Sequence, residues 1–239
     1  MRLQDHVQAG SEIPGRPSAP ARRGAAVWMS VAFGAALAMA VGILVSRGAG
    51  VSGVDAALRA TARLGFAFFW LSYAGGALVA LFGPAFDPVK RRGREFGLAF
   101  ACVLVVHLCL VGWRCWIGAA PSVRTFAIFG AAAICTGLLA LFSTDRLGKA
   151  LGAKGWWTLR NVGLNYITFA FAFDFLRPGR QMTGQYLLEY LPFATLVVLG
   201  PVLRLLAWLK ADLAPRPPRA ARPRVVDLPG GASPPADLA

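Results

Sequence analysis

The chain has 239 residues, of which 56% are hydrophobic and 15% are charged, and its mean hydropathy is positive. A soluble domain of this length carries a larger share of charged residues, so the composition predicts an integral membrane protein. The formal net charge is +14. Its basic residues separate apolar runs instead of forming one patch on a soluble module, which argues against nucleic acid as a partner.

Residues 1–24 and 211–239 differ from the rest of the chain in composition. The first segment is polar and contains Pro14, Pro17 and Pro20, and the second is rich in proline, alanine and arginine. Such segments lack the apolar residues needed for a core, so both are predicted to be disordered cytoplasmic tails. The C-terminal tail is too short for a flavin or nicotinamide domain, and none is expected in this chain.

Residues 25–210 are predicted to form one transmembrane domain, an all-α bundle of six helices. An apolar run of about 20 residues is enough to cross a bilayer as a helix. Six runs approach that length, at about 25–46, 64–82, 96–113, 125–142, 156–175 and 187–206. The segment between the first two runs, which carries Arg47, Arg59 and Arg63, is interpreted as a connection.

The fifth predicted span is the most polar. It contains Arg160, Asn161, Asn165, Thr168 and Asp174. Asn161, Asn165 and Thr168 fall on one stripe of a helix, and their polar groups need hydrogen-bond partners. The stripe is therefore predicted to face other helices and not lipid.

The distribution of basic residues predicts the orientation. Most of the 25 Lys and Arg residues lie in the two tails and in the loops after the second and fourth spans. By the positive-inside rule both termini are then cytoplasmic, as expected for a multi-pass protein of a bacterial-type cytoplasmic (inner) membrane. The densest basic cluster, Lys90–Arg94, is predicted to face lipid phosphates, which makes membrane lipid an expected partner.

Histidine and cysteine limit the chemistry. His6 lies in the N-terminal tail and is interpreted as a solvated residue, whereas His107 lies within the third apolar run, where an ionisable side chain marks a site or an internal polar contact. The cysteines contain no C-x-x-C pair, so they predict small buried side chains and not a zinc site or a disulfide framework; they are Cys102, Cys109, Cys115 and Cys135.

Several short motifs together resemble a known family. They are Arg63-Leu64-Gly65, Arg91-Arg92 with Phe96-Gly97-Leu98 and His107, Leu139-Ala140-Leu141-Phe142-Ser143-Thr144, Arg146-Leu147-Gly148 and Trp156-Trp157-Thr158-Leu159. In this order they resemble the ferric reductase-like transmembrane domain over residues 60–176. The nearest branch is the haem-bearing membrane subunit of the bacterial methionine sulfoxide reductase system.

The resemblance implies a bundle that holds b-type haem between histidines on two helices and transfers electrons to a partner oxidoreductase. His107 matches the family's histidine on the third helix, which makes it a candidate haem axial ligand, and haem iron the only metal implied. Arg160 stands where the fifth helix of the family has a histidine. Arginine has no lone pair for iron, so Arg160 is a candidate contact for a haem propionate. A further family histidine would fall near Phe173 or Asp174.

Two functions remain open. The first is an electron-transfer subunit with haem b on His107, either five-coordinate or with a second ligand from a Met or Cys sulfur or a partner chain, and with a redox protein or quinol as electron donor. The alternative is a non-catalytic membrane protein of the same fold that no longer binds haem. His107 would then bond across helices to Asn161, Asn165 or a backbone carbonyl, a contact worth about 0.6 kcal/mol.

Overall fold

The computed structural model describes residues 19–143, 145–176 and 184–213. The two predicted tails, apart from their few residues next to the bundle, and His6 lie outside the described residues. Every regular element within the described ranges is helical, which confirms the predicted all-α class. The helices are α1 (Ala19–Arg47), α2 (Val51–Phe82), α3 (Asp87–Arg91), α4 (Gly93–Trp116), α5 (Val123–Phe142), α6 (Asp145–Phe175) and α7 (Gly184–Leu213).

Five of these helices are long and apolar enough to cross a membrane: α1, α2, α4, α5 and α7. They indicate a multi-pass membrane protein. The helix that contains the fifth predicted span, α6, is not among the five. Its polar stripe, with Arg160 and Asp174, lowers its hydropathy, and its 31 residues are interrupted by a kink at Gly152, where φ is 65° and ψ is 169°.

The structure corrects the predicted start of the second span. Helix α2 is continuous from Val51 to Phe82, so the segment with Arg59 and Arg63 is helical and not a connection. Val54 and Ala57 are fully buried, and Ala57 packs in a cluster with alanines of α1 and α4. This first part of α2 is therefore held by packing, which sequence hydropathy alone did not show because two arginines interrupt it.

Contacts along α2 fix the direction of α4. Ser72 Oγ donates to Gly93 O over 2.7 Å where α4 begins, and Asp55 pairs with Arg114 over 3.0 Å where α4 is about to end. The two helices are therefore antiparallel. We call the end where α2 finishes and α4 begins the basic end, because it carries the cluster Lys90–Arg94.

The other long helices alternate in the same way. Along α6, Asn165 meets Tyr73 of α2 and Phe175 meets Phe66, so α6 is antiparallel to α2. Along α7, Glu189 meets Arg63 and Lys210 meets the carbonyl of Ala80, so α7 is parallel to α2. Gly24 of α1 lies beside Glu95 of α4. The described beginning of α1 and the end of α7 are thus both at the basic end.

Two kinds of packing hold the bundle. Small residues join α1 to α2 and α4, which lets the backbones approach closely; the most buried are Ala32, Ala36, Ala40, Ala57 and Ala99. Aromatic rings join α2, α4, α6 and α7 in what we call the aromatic cluster. Its members are Phe66, Phe69, Phe100, Phe171, Phe175 and Phe193.

Candidate functional site

His107 lies on α4 and is hydrogen-bonded across the bundle to α2. Its Nδ1 is 2.9 Å from Oγ1 of Thr61, which is fully buried. The Thr61 hydroxyl donates to the carbonyl of Ala57 over 2.9 Å, with a second contact to Leu58 O at 3.2 Å. When the Thr61 hydrogen points to the Ala57 carbonyl, Oγ1 can accept from His107 only if Nδ1 carries the ring hydrogen. The neutral imidazole then keeps its lone pair on Nε2.

The partner of His107 differs from the amides and carbonyl considered from the sequence. Asn161 Oδ1 accepts from Arg204 Nη2 and Asn165 Oδ1 accepts from the Tyr73 hydroxyl, both over 2.9 Å. The predicted stripe of α6 does face other helices, but these are α7 and α2. His107 meets α2 instead, because α4 packs chiefly against α1 and α2.

The structure does not bring the two candidate site residues together. Arg160 directly precedes Asn161 near the basic end of α6, and its side chain is exposed. His107 lies level with Thr61, whereas Asn165 lies level with Tyr73. At the helical rise, Thr61 and Tyr73 are about 18 Å apart along α2, and Arg160 lies further still from His107.

Phe173, one of the two residues near which the resemblance implies a further histidine, faces α5. The ring of Phe173 is 6.5 Å from the ring of Phe129, and the guanidinium of Arg124 lies 5.2 Å above the Phe173 ring. Both neighbours belong to α5. A ligand at position 173 would therefore be directed away from α4.

Aromatic rings fill the interface at which a haem between α4 and α6 would have to lie. Phe100 of α4, two turns before His107, is 6.0 Å from Phe171 of α6 between ring centroids. Phe69 is 5.5 Å from Phe100 and 5.6 Å from Phe171. These separations are those of rings in direct contact. A macrocycle inserted between α4 and α6 at the depth of Phe100, about 10 Å along α4 from His107, would displace these rings, so the residues at that depth do not fit a haem.

Few other side chains could hold a metal. Within the described ranges, no group of three or more His, Cys, Asp or Glu side chains is close enough to bind an ion. The four cysteines are free thiols.

A second polar contact supports the same interface as His107. Arg114, two turns after His107, pairs with Asp55 of α2 over 3.0 Å, and both side chains are about three-quarters buried. Thr61 and Asp55 lie in the segment that hydropathy assigns to a connection, so the sequence does not predict them as partners. Helical spacing of Val54, Ala57 and Thr61 was the signal that could have extended the span.

No protein-family model, curated protein or solved structure matches the chain. Function is therefore inferred from the geometry of the side chains described above.

Proposed function

We propose that the chain is a ferric reductase-like membrane protein that keeps the helical bundle and works without haem, as a non-catalytic component of the membrane. In this proposal His107 is a structural residue that ties α4 to α2. The observation that carries it is the ring contact between Phe100 and Phe171, which closes the α4–α6 interface. The His107–Thr61 bond supplies the imidazole with a partner inside the bundle.

The proposal includes six spans with both termini in the cytoplasm of a bacterial-type inner membrane. Helix α6 is polar for a span, but its amides are paired with α2 and α7 and not turned to lipid. It is antiparallel to both α2 and α7, as a helix between α5 and α7 must be if it crosses the membrane. The basic residues at the basic end favour the cytoplasmic side for that end.

A second candidate is an electron-transfer subunit with haem b on His107 alone or with a ligand from a partner chain. One observation favours it. A histidine that binds a metal usually donates its other ring N–H to a protein acceptor, and Thr61 Oγ1, 2.9 Å from Nδ1 of His107, can be that acceptor. Nε2 then retains the lone pair that iron requires. Its electrons would come from a redox protein or quinol.

Absorption spectra separate these two candidates. The full chain is produced in membranes with a supply of haem precursor, purified in mild detergent and recorded in the oxidised and dithionite-reduced states. The haem-free proposal predicts no Soret band in the wild type. A Soret band that disappears in His107→Ala, with His107→Ala still folded, would reject it in favour of the electron-transfer subunit.

A further inference from the structure

A groove of about 390 Å³ lies between α2, α6 and α7. Tyr73 of α2 forms part of its wall, and most of the remaining wall is apolar. Phe169 of α6 and Val198 of α7 are about half exposed, so the groove opens sideways toward the lipid. Its other apolar lining residues include Ala172, Pro201 and Val202.

Two arginines lie beside the groove on the side of the basic end. Arg204 Nη2 donates to Asn161 Oδ1, and the guanidinium lies 4.5 Å above the ring of Tyr73. Its Nη1 is buried and has no acceptor among the described residues. Arg160 adjoins Asn161 in the chain, is exposed, and is close enough to Arg204 for their charges to repel.

The positive charge of these two arginines is not balanced locally. Among the residues that the structure describes, three ion pairs join other side chains: Arg63 with Glu189, Arg91 with Asp87 and Arg114 with Asp55. In the described ranges, neither Arg160 nor Arg204 has a carboxylate within ion-pair distance. Two guanidinium groups therefore stand at the edge of an apolar groove without a counter-charge.

Their depth corresponds to that of lipid headgroups. Gly75 of α2 packs against Val89 and Lys90, so the basic cluster is level with this part of α2. Tyr73, over which Arg204 lies, is within one turn of Gly75. Cationic side chains at this depth meet the phosphates of the adjacent leaflet.

We propose that the groove binds one anionic phospholipid from the leaflet at the basic end. An acyl chain lies along α6 and α7 against Phe169 and Val198, and the phosphate oxygens accept hydrogen bonds from Arg204 and Arg160. Guanidinium groups match phosphate because their planar N–H donors pair with its oxygens. The two uncompensated charges select an anionic headgroup over a zwitterionic one.

The test measures lipid retention by native mass spectrometry on the full chain after delipidation in neutral detergent. The protein is titrated with phosphatidylglycerol, with phosphatidylcholine of the same acyl chains, and with soluble glycerol phosphate. We expect one phosphatidylglycerol to be retained at least about fivefold more strongly than phosphatidylcholine. Equal retention of the two lipids would overturn the proposal, and so would binding of glycerol phosphate as strong as that of the lipid, which would indicate a site for free phosphate.

Three variants locate the site. Arg160→Gln and Arg204→Gln are each expected to reduce the preference for phosphatidylglycerol, and Val198→Trp to weaken both lipids by filling the groove. Arg91→Gln is the matched control, since it removes an exposed charge of the basic cluster away from the groove. If Arg204→Gln does not fold, the variants at the exposed positions 160 and 198 still test where the lipid binds. Wild-type preference in Arg160→Gln together with wild-type retention of both lipids in Val198→Trp, or an equal loss of preference in Arg91→Gln, contradicts the assigned site.

Discussion

The α2–α4 interface and the α2–α6–α7 interface both bury polar side chains, but only the first pairs its arginine with a carboxylate. Between α2 and α4, Asp55 pairs with Arg114 and Thr61 with His107, although Arg114 Nε is buried without a hydrogen-bond partner in the described part of the chain. Between α2, α6 and α7, Tyr73 donates to one amide, Asn165, and Arg204 donates to another, Asn161. In the described part of the chain, Nη1 of Arg204 has no acceptor and Arg204 has no carboxylate partner.

This difference in charge pairing indicates which interface can hold helices together without a ligand and which can bind an anion. A buried polar pair that is complete within the protein fixes the position of one helix against another and needs no ligand. A cationic group left without a counter-charge gains from an added anion. His107 therefore belongs to the interface whose arginine has a carboxylate partner, and the groove beside Arg204 belongs to the interface whose arginine has none within the described residues.

The largest loss of stability is expected from a substitution in the aromatic cluster, which lies between the two interfaces. Phe69→Ala removes a ring that contacts Tyr73, Phe100 and Phe171, and it should lower the free energy of unfolding by about 3–5 kcal/mol. The measurement is reversible unfolding in mixed detergent micelles. Phe169→Ala is the control, because that ring is 53% exposed and its loss leaves no internal cavity. Equal losses in the two variants would show that the cluster is not a packed core.

A smaller loss is expected from breaking the ion pair of the α2–α4 interface. Asp55→Ala leaves Arg114 largely buried without its carboxylate, and should cost about 2 kcal/mol, since both side chains retain some exposure. Asp87→Ala breaks the exposed pair with Arg91, whose atoms are 3.8 Å apart, and should change stability little. The same unfolding measurement compares the two variants. An Asp55 variant as stable as the Asp87 variant would contradict a stabilising ion pair between Asp55 and Arg114.

The His107 contact itself should contribute about 1 kcal/mol. Thr61→Val keeps the shape of the side chain but leaves Nδ1–H of His107 without an acceptor, whereas Thr61→Ser keeps the hydroxyl. Unfolding of Thr61→Val, His107→Ala and the double variant gives the coupling between the two side chains. Additive losses in this cycle would mean that the hydrogen bond does not form.

The sequence predicted the helical class, five of the spans and the inward stripe of α6 because each depends on local periodicity and composition. It did not predict the partner of His107. That partner depends on which helices are neighbours. The arginines of α2 also lower the hydropathy around Thr61, so the sequence does not predict that Thr61 lies on a spanning helix. The hydrogen bond between Arg204 and Asn161 likewise joins residues of two separate helices, and no periodicity in the sequence predicts it.

Arg160→His should have the smallest effect on stability, since the side chain is exposed and has no hydrogen bond in the described ranges. It places a histidine where the resemblance to the ferric reductase-like domain implies one. Because Arg160 and His107 are at different depths, we expect the variant to gain no low-spin b-type spectrum. A reducible low-spin spectrum in Arg160→His, absent from the wild type, would show that α4 and α6 face each other at these two residues.

Under the proposed function, the aromatic cluster and not a haem occupies the space between α4 and α6. The most direct measurement is the ratio of haem to chain in the wild-type protein purified from haem-supplemented cells, determined by extraction of the pigment. We predict a ratio near zero, unchanged when haem is added to the purified protein. A ratio near one haem per chain that falls to zero in His107→Ala would contradict the claim.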